Sequence, residues 1–211
     1  MKTNAMLFLL VSMLFVNTLQ AQHNLIDSSF YMPVEDDFEV QGEGLVVVGK
    51  ISSGKVAVGQ RINIMGIDGV AKVCVVSGIF YQGNKVFTAV AGQVVGLIIP
   101  TLTPDEVMRG MVAIQTTFGK IDTYMDCELE VFPDGIPYTD GSSVTVFING
   151  IDVPGCDIIM EPGTTIEPGE TKRIRILCPV YIAQIPNLPF CIRKFHPYKV
   201  TAQGKVIMTE E

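Results

Sequence analysis

The chain has no tryptophan and only two histidines, His23 and His196, among its 211 residues. An enzyme site needs a nucleophile beside a base, a pair of carboxylates in a cleft, or a metal. Cys191 lies five positions before His196, and a strand at that spacing points the two side chains to opposite faces. We therefore expect a non-catalytic protein without a cofactor; an extracellular hydrolase that uses His196 is the weaker alternative.

The chain also lacks the positive charge that nucleic-acid binding requires. Its formal net charge is −7, and acidic residues outnumber basic ones. Because nucleic-acid affinity depends mostly on Lys and Arg, this balance disfavours DNA or RNA as a partner. One basic cluster comprises Lys172, Arg173, Arg175, Arg193 and Lys194. It could bind an acidic partner or a glycan, but alternation along antiparallel strands favours a solvated face.

Only the N-terminus carries a long hydrophobic run. Lys2 precedes 12 apolar residues, Ala5 to Val16, and the small residue Ala21 follows a polar stretch. This layout predicts a signal peptide over residues 1–21 and a connecting arm over 22–29. A membrane anchor would need about 20 apolar residues, and a first helix of the globular domain would need a polar face. We expect export to a periplasm or the extracellular space, with bacterial origin favoured and the membrane involved only in export.

The five cysteines include no Cys-x-x-C and no Cys/His cluster, so the sequence indicates no metal site. An oxidising compartment would permit disulfides, although an odd number leaves one cysteine unpaired. Cys178 and Cys191 flank the segment PVYIAQIPNLPF and could face each other across a hairpin. Each could equally be an ordinary buried cysteine, and the sequence leaves both readings open.

Short glycine-punctuated runs of Val and Ile are what the sequence has in abundance. Glycine supplies the turns, and β-branched residues suit a pleated, half-buried surface. Strands are predicted in the first half at 37–41, 44–51, 61–65, 70–81, 85–89, 94–99 and 111–114. In the second half they are predicted at 127–132, 143–148, 171–180, 190–194 and 199–208. No segment has the pattern of a long amphipathic helix, so the predicted class is all-β.

The segment Pro33–Gly59 reads P-V-E-D-x-F-x-V-x-G-x-G-x-V-x-x-G-K-I-x-x-G-x-V-x-V-G. It resembles the opening of the second domain of elongation factor Tu and related translational GTPases. AGQVVG at 91–96 and DEVMRGMV at 105–112 are similar to that domain's closing segment. The resemblance implies a small antiparallel β-barrel over 30–115. Residues 121–211 more weakly resemble the third domain, through a Pro-Gly turn, a central strand and an F-x-I-R strand, which implies a second barrel.

Guanine-nucleotide binding is not expected. The segment GKISSGK at 49–55 has the outline of a phosphate-binding loop, but Val56 replaces the Ser or Thr that holds magnesium. Val56 is also predicted to enter a strand rather than a helix, which makes the segment a hairpin turn. The family's GTPase domain would precede the first barrel, and here the leader occupies that position.

In the resembled family the first barrel holds the aminoacyl end of tRNA. Glu35, Asp36 and Phe38 keep the family's residue types, whereas Glu43 replaces a basic residue. Val94 replaces an Asn, and Val48 replaces a Thr. Carboxylates repel phosphate, so we do not expect tRNA to bind. The candidate partner-binding surface comprises Glu35, Asp36, Phe38, Glu43, Val48 and Val94.

Two functional hypotheses follow. The first is an exported, non-catalytic binding or scaffold protein whose partner is another protein or a second copy of the chain. The alternative is a cytosolic translation-associated protein that docks to a ribosome or a GTPase. The alternative requires the leader to be retained, and it fits the acidic composition poorly.

Overall fold

The computed structural model describes residues 29–117, 119–195 and 198–208. The predicted signal peptide, nearly all of the connecting arm, His23 and His196 lie outside these residues. The described residues form an all-β protein whose single helical element is a 3-10 turn at Pro104–Glu106. No described helix has the length and apolar character that a membrane crossing requires.

The first half of the chain contains eleven strands among the described residues. They are β1 (Tyr31–Pro33), β2 (Asp36–Val40), β3 (Gly44–Lys50), β4 (Lys55–Ala57), β5 (Arg61–Met65), β6 (Lys72–Val75), β7 (Gly78–Tyr81), β8 (Asn84–Val86), β9 (Thr88–Val90), β10 (Val94–Ile98) and β11 (Val112–Gln115). A four-stranded sheet has the order β1-β11-β5-β6, and a five-stranded sheet has the order β2-β3-β10-β7-β8. A separate ladder joins β4 to β9. The two sheets enclose one core, which contains Leu45, Val47 and Leu97.

The second half folds into a closed barrel of six strands in the order β12-β17-β15-β14-β18-β19. Its strands are β12 (Lys120–Val131), β13 (Tyr138–Thr139), β14 (Ser143–Ile148), β15 (Ile151–Ile159), β16 (Thr165–Ile166), β17 (Thr171–Gln184), β18 (Pro189–Phe195) and β19 (Tyr198–Val206). The strict alternation of β14 places Val144, Val146 and Ile148 in the barrel interior and the intervening side chains outside. The short pair β13–β16 forms its own ladder beside the barrel.

Two predicted strands of the first half are wrong, because the chain changes sheets within them. The predicted strand 70–81 divides into β6 and β7. Between them the Val76 N–H donates to the Gln60 carbonyl at 3.0 Å, and the Ser77 N–H donates to the Ile98 carbonyl at 2.9 Å. These two bonds reach different sheets. The predicted strand 85–89 likewise divides at Phe87, where β8 leaves the five-stranded sheet and β9 joins β4.

The predicted facing of Cys178 and Cys191 across a hairpin is also wrong. Cys178 lies on β17, which pairs with β12 and β15, whereas Cys191 lies on β18, which pairs with β14 and β19. The intervening chain crosses from one strand to another that is not its neighbour. All five cysteines are free thiols in the structure.

The outer face of the four-stranded sheet packs against the six-stranded barrel. Tyr31, Met65, Val112 and Ile114 share one side of that sheet by register, and all four belong to the barrel's hydrophobic cluster. The opposite side, which includes Met32 and Ala113, faces the core of the first half. Both sides of the sheet are therefore buried along β1 and most of β11, whereas Val73 and Val75 on the outer side of β6 remain exposed.

Candidate docking surface

The five-stranded sheet also has an apolar outer face, on the side away from the core. Because directly opposed residues of antiparallel strands point to the same side, Asp36 and Phe38 lie on the same face as Val48 and Val46. The same rule adds Val94, Ile98 and Phe80 from β10 and β7. We call this surface the β2–β8 outer face; its residues are Asp36, Phe38, Val46, Val48, Phe80, Val94 and Ile98.

Two glycines allow apolar side chains to lie flat on this face. A Cβ atom on Gly96 would be 2.7 Å from Val46 Cγ1, and a Cβ atom on Gly78 would be 2.7 Å from Ile98 Cδ1. Both distances are shorter than van der Waals contact, so these two positions accept only glycine without displacement of Val46 or Ile98. As a result Val46 and Ile98 are only 0% and 1% exposed. Neither belongs to a core cluster of the described residues, so both are buried on the outer side of the sheet.

The margin of the face is apolar and accessible. Phe38 is 49% exposed and Val94 is 53% exposed. Lys85 forms an ion pair with Glu43, and its Nζ atom lies 5.7 Å from the centroid of the Phe80 ring. The face therefore combines a buried floor, exposed hydrophobic side chains and a charged border, a composition found at protein–protein contact sites.

Acidic residues occupy the strand that borders the face. Asp36 lies on the face itself, and its neighbour Asp37 is on the other side of β2. Partial burial, together with the charge of Asp36, raises the pKa of Asp37 above its ordinary value. This edge of the sheet therefore carries negative charge close to the apolar surface.

The structure brings together four of the six candidate residues predicted from the sequence. Asp36, Phe38, Val48 and Val94 lie on the β2–β8 outer face. Glu35 is exposed just before β2, where its N–H donates to the Val48 carbonyl at 2.8 Å. Glu43 lies in the β2–β3 turn, and its carboxylate is engaged by Lys85 rather than free.

Sequence reasoning missed three residues of the face: Val46, Phe80 and Ile98. The run Leu45–Val48 contained the signal, since four consecutive apolar residues in a strand place apolar groups on both sides of a sheet. The close contacts of Gly96 with Val46 and of Gly78 with Ile98 can be recognised only once the strand register is known.

The segment that resembles a phosphate-binding loop has a structural role. It joins β3 to β4, and Val56 is buried within β4 opposite Ala89, so the predicted strand at Val56 is confirmed. The predicted hairpin is wrong, because β3 and β4 pair with different strands. No helix follows Lys55 in this described segment, and a phosphate-binding loop requires one.

The basic cluster predicted from the sequence does not form a single site. Arg175 makes a bidentate ion pair with Asp126, with N–O distances of 2.6 and 2.8 Å. Arg193 pairs with Asp152 at 3.2 Å, and its guanidinium lies 3.4 Å from the centroid of the Phe147 ring. Because these two arginines are on non-adjacent strands and already have acidic partners, they offer no shared anion site.

A cleft lies between the two halves of the chain. Its volume is about 580 Å³, and its walls include Tyr31, Phe147, Asn149, Leu188 and Phe190. Most of its lining is apolar, and the amide of Asn149 is already bonded to both halves of the chain. Within the described ranges, no group of three or more His, Cys, Asp or Glu side chains is placed to hold a metal ion.

Comparison with known protein families matches every strand of the five-stranded sheet except β2. Residues 44–114 match the family described as elongation factor Tu domain 2. The match begins at β3 and ends in β11, so it includes β10 and β7 as well. This part of the chain is therefore an elongation factor Tu-like domain 2 within an all-β protein.

Proposed function

We propose that the chain is an exported, non-catalytic binding or scaffold protein that docks a protein partner or a second copy of itself on the β2–β8 outer face. The observation that carries this proposal is the apolar outer face of the five-stranded sheet, in which a buried floor of Val46 and Ile98 adjoins exposed hydrophobic side chains. On the four-stranded sheet the six-stranded barrel covers part of the outer face, and Val73 and Val75 of β6 remain exposed there. The apolar outer face of the five-stranded sheet leaves Phe38 and Val94 about half exposed.

The charge around the face suits a particular partner chemistry. The exposed residues Asp36 and Glu35 border the apolar centre on one side, and the exposed Lys50, opposite Val94, borders it on another. A partner that presents an apolar centre with a basic group toward Asp36 and an acidic group toward Lys50 would match these features, since complementary charge steers and orients docking. The same carboxylates would repel the phosphates of a nucleic acid, so tRNA is not the proposed ligand.

Export is proposed from the leader, residues 1–21. The apolar run and the small residue before Gln22 have the layout of a signal peptide with cleavage after Ala21. Mass spectrometry of the protein isolated from its native cells is the test. A mature N-terminus at Gln22 would support export, and an intact Met1 would contradict it.

We expect that the residues the structure describes neither bind nor hydrolyse guanine nucleotides. Val56 takes the place of the magnesium ligand, and Lys55 leads into a strand. Isothermal titration with GTP and GDP should give no heat of binding. Tight association of either nucleotide would contradict this part of the proposal.

The six-stranded barrel is proposed to correspond to the third domain of elongation factor Tu. Support comes from its position after a domain 2-like unit and from its F-x-I-R strand, which is β18. Its proposed role is to brace the first half, because it buries Tyr31, Met65, Val112 and Ile114. A braced β2–β8 outer face would lose little conformational freedom when a partner binds.

A pull-down from the envelope fraction after cross-linking tests the docking proposal. Phe38→Ser and Val94→Asn remove exposed apolar groups from the face without opening a core cluster. Tyr124→Ser is the matched control, since Tyr124 is 45% exposed and lies on β12 in the other half. Loss of the same partner with the two face variants and its retention with the control are expected. Equal recovery by all three variants would contradict the proposal.

The domain 2 match also favours one alternative, a cytosolic protein that docks to a ribosome or a GTPase. This alternative predicts co-sedimentation with ribosomes and a retained leader. The formal net charge of −7 argues against it, because ribosome surfaces are rich in phosphate. Sedimentation of cell extract through a sucrose cushion distinguishes the two readings.

A further inference from the structure

Two of the buried cysteines are in direct contact inside the six-stranded barrel. The Sγ atoms of Cys156 and Cys178 are 3.5 Å apart. Both side chains are almost completely buried, at 0% and 2% exposure. Neither residue contributes to the β2–β8 outer face or to the cleft between the two halves.

Strand register explains this contact. In the β15–β17 ladder, Asp157 is opposite Leu177 and Ile158 is opposite Ile176. One step further in the same register places Cys156 opposite Cys178. Directly opposed residues of antiparallel strands have Cα atoms about 4.5–5.5 Å apart, which lies within the range of about 4.4–6.8 Å that a disulfide spans. The β15–β17 ladder ends at Asp157 and Leu177, and the contact of the two Sγ atoms at 3.5 Å shows that the two side chains meet one step beyond it.

The contact shifts the pKa values of the two thiols in opposite directions. The hydrogen bond between the two thiols lowers the pKa of Cys156, although burial opposes this effect. The same hydrogen bond, together with burial, raises the pKa of Cys178. The thiolate is the form that attacks a disulfide, and either cysteine can supply it once the barrel opens.

We infer that Cys156 and Cys178 form a cross-strand disulfide when a disulfide oxidant is supplied. The thiolate of one of the two cysteines attacks one sulfur of the oxidant, which forms a mixed disulfide and releases one thiolate. The other cysteine then loses its proton and attacks the protein sulfur of the mixed disulfide, which releases the second thiolate. Two protein thiols are oxidised, and one oxidant disulfide is reduced to two thiols. Because both sulfurs are buried, the exchange takes place while the barrel folds or transiently opens.

The disulfide joins the two ends of a segment that leaves the barrel and returns to it. Between Cys156 and Cys178 the chain leaves β15, forms β16 against β13, and returns as β17. Outside the barrel ladder this segment is held by the two-residue pairing of β13 with β16, by hydrogen bonds of Val131 to Gly169 and Glu170, and by the buried Ile166. A covalent link between its ends restricts the unfolded chain and thereby stabilises the fold.

The test refolds the reduced full-length chain with excess oxidised glutathione, then denatures and alkylates it. Intact mass should show three alkylated cysteines of the five in the sequence. Digestion with trypsin and Asp-N separates Cys127 from Cys156, whereas Cys178 and Cys191 remain on one peptide. Fragment-ion spectra of the linked peptide pair should place the alkyl group on Cys191 and the link between Cys156 and Cys178. Five alkylated cysteines, a stable glutathione adduct, or a link that involves Cys127 or Cys191 would each overturn the inference.

Cysteine variants test which residues form the disulfide, and melting temperatures test whether the disulfide stabilises the folded protein. Cys156→Ser and Cys178→Ser should each leave all remaining cysteines open to alkylation, whereas the matched buried variant Cys74→Ser should retain the link. Reduction of the oxidised wild type should lower its melting temperature by about 5–10 °C. The same reductant should not change the melting temperature of Cys156→Ser. An unchanged wild-type melting temperature would overturn the stabilising role of the disulfide.

Discussion

At the residue scale, Asn149 joins the two halves of the chain. Asn149 and Gly150 connect β14 to β15 with φ angles of 53° and 81°, the left-handed values of a two-residue hairpin turn. Asn tolerates this conformation better than other side chains do. Its Oδ1 accepts a hydrogen bond from the Tyr31 hydroxyl at 2.6 Å, and its Nδ2 donates to the Ala183 carbonyl at 3.0 Å. One amide therefore satisfies buried polar groups from both halves.

The first prediction concerns the hydroxyl of Tyr31. Tyr31→Phe leaves the buried Asn149 Oδ1 without its donor, which should cost about 1–3 kcal/mol of unfolding free energy. Urea denaturation followed by circular dichroism measures this change. Tyr124→Phe is the control, because the exposed Tyr124 ring should change stability by less than about 0.5 kcal/mol. Equal stabilities of Tyr31→Phe and wild type would show that the hydrogen bond is energetically irrelevant.

The second prediction concerns alkaline pH. Burial raises the pKa of Tyr31 above its ordinary value, so the folded protein retains a proton that the unfolded chain loses above about pH 10. The stabilisation is complete below about pH 10 and is lost as pH rises further, by up to about 1.4 kcal/mol per pH unit for this single group. Wild type should therefore lose stability more steeply than Tyr31→Phe between about pH 10 and 11. Parallel pH profiles would contradict this assignment.

At the scale of strands, the close approach of β3 to β1 depends on one glycine. A Cβ atom on Gly49 would lie 2.1 Å from the Pro33 carbonyl oxygen and 2.9 Å from Met32 Cγ. The third prediction is that Gly49→Ala destabilises the protein by more than about 3 kcal/mol, because backbone would have to move. Gly42→Ala is the control; its Cβ meets no atom within 4 Å, and its φ of 80° should cost about 1–2 kcal/mol. Similar thermal shifts for the two variants would contradict the steric explanation.

Strand patterns that alternate or that end at glycine could be predicted from the sequence, whereas crossings between sheets could not. The predicted bounds of β5 and β14 agree with the structure, because RINIM and SVTVFI have clear strand composition. No strand is predicted at β15, where Pro154 and Gly155 interrupt the strand pattern. In the structure Gly155 has a φ of 72° at an irregularity in the β14–β15 register, so the strand bends without ending.

The candidate site was predictable only in part for a related reason. Phe38, Val48 and Val94 were identified through resemblance to a known domain. Their shared face depends on the pairing of β2, β3 and β10, which are distant in sequence. The contact of Cys156 with Cys178 depends on the β15–β17 pairing in the same way. Side-chain type is local, but the register that brings side chains together is set by long-range packing.

At the scale of the whole molecule, the shared hydrophobic cluster predicts that the two halves unfold together. Met65, Val112 and Ile114 pack into the cluster of the barrel, so separation of the halves would expose them. The fourth prediction is a single calorimetric transition with equal calorimetric and van't Hoff enthalpies. Two resolved transitions would show that the contact between the halves is weak and that each folds by itself.

Site-directed photo-cross-linking tests the central claim, that the β2–β8 outer face is the docking surface. A benzoylphenylalanine at position 38 replaces an aromatic ring that is 49% exposed, and the same residue at position 124 replaces one that is 45% exposed. Irradiation of intact cells should give one discrete adduct of constant mass from position 38 and none from position 124. No adduct at position 38, or the same adduct at both positions, would contradict the account.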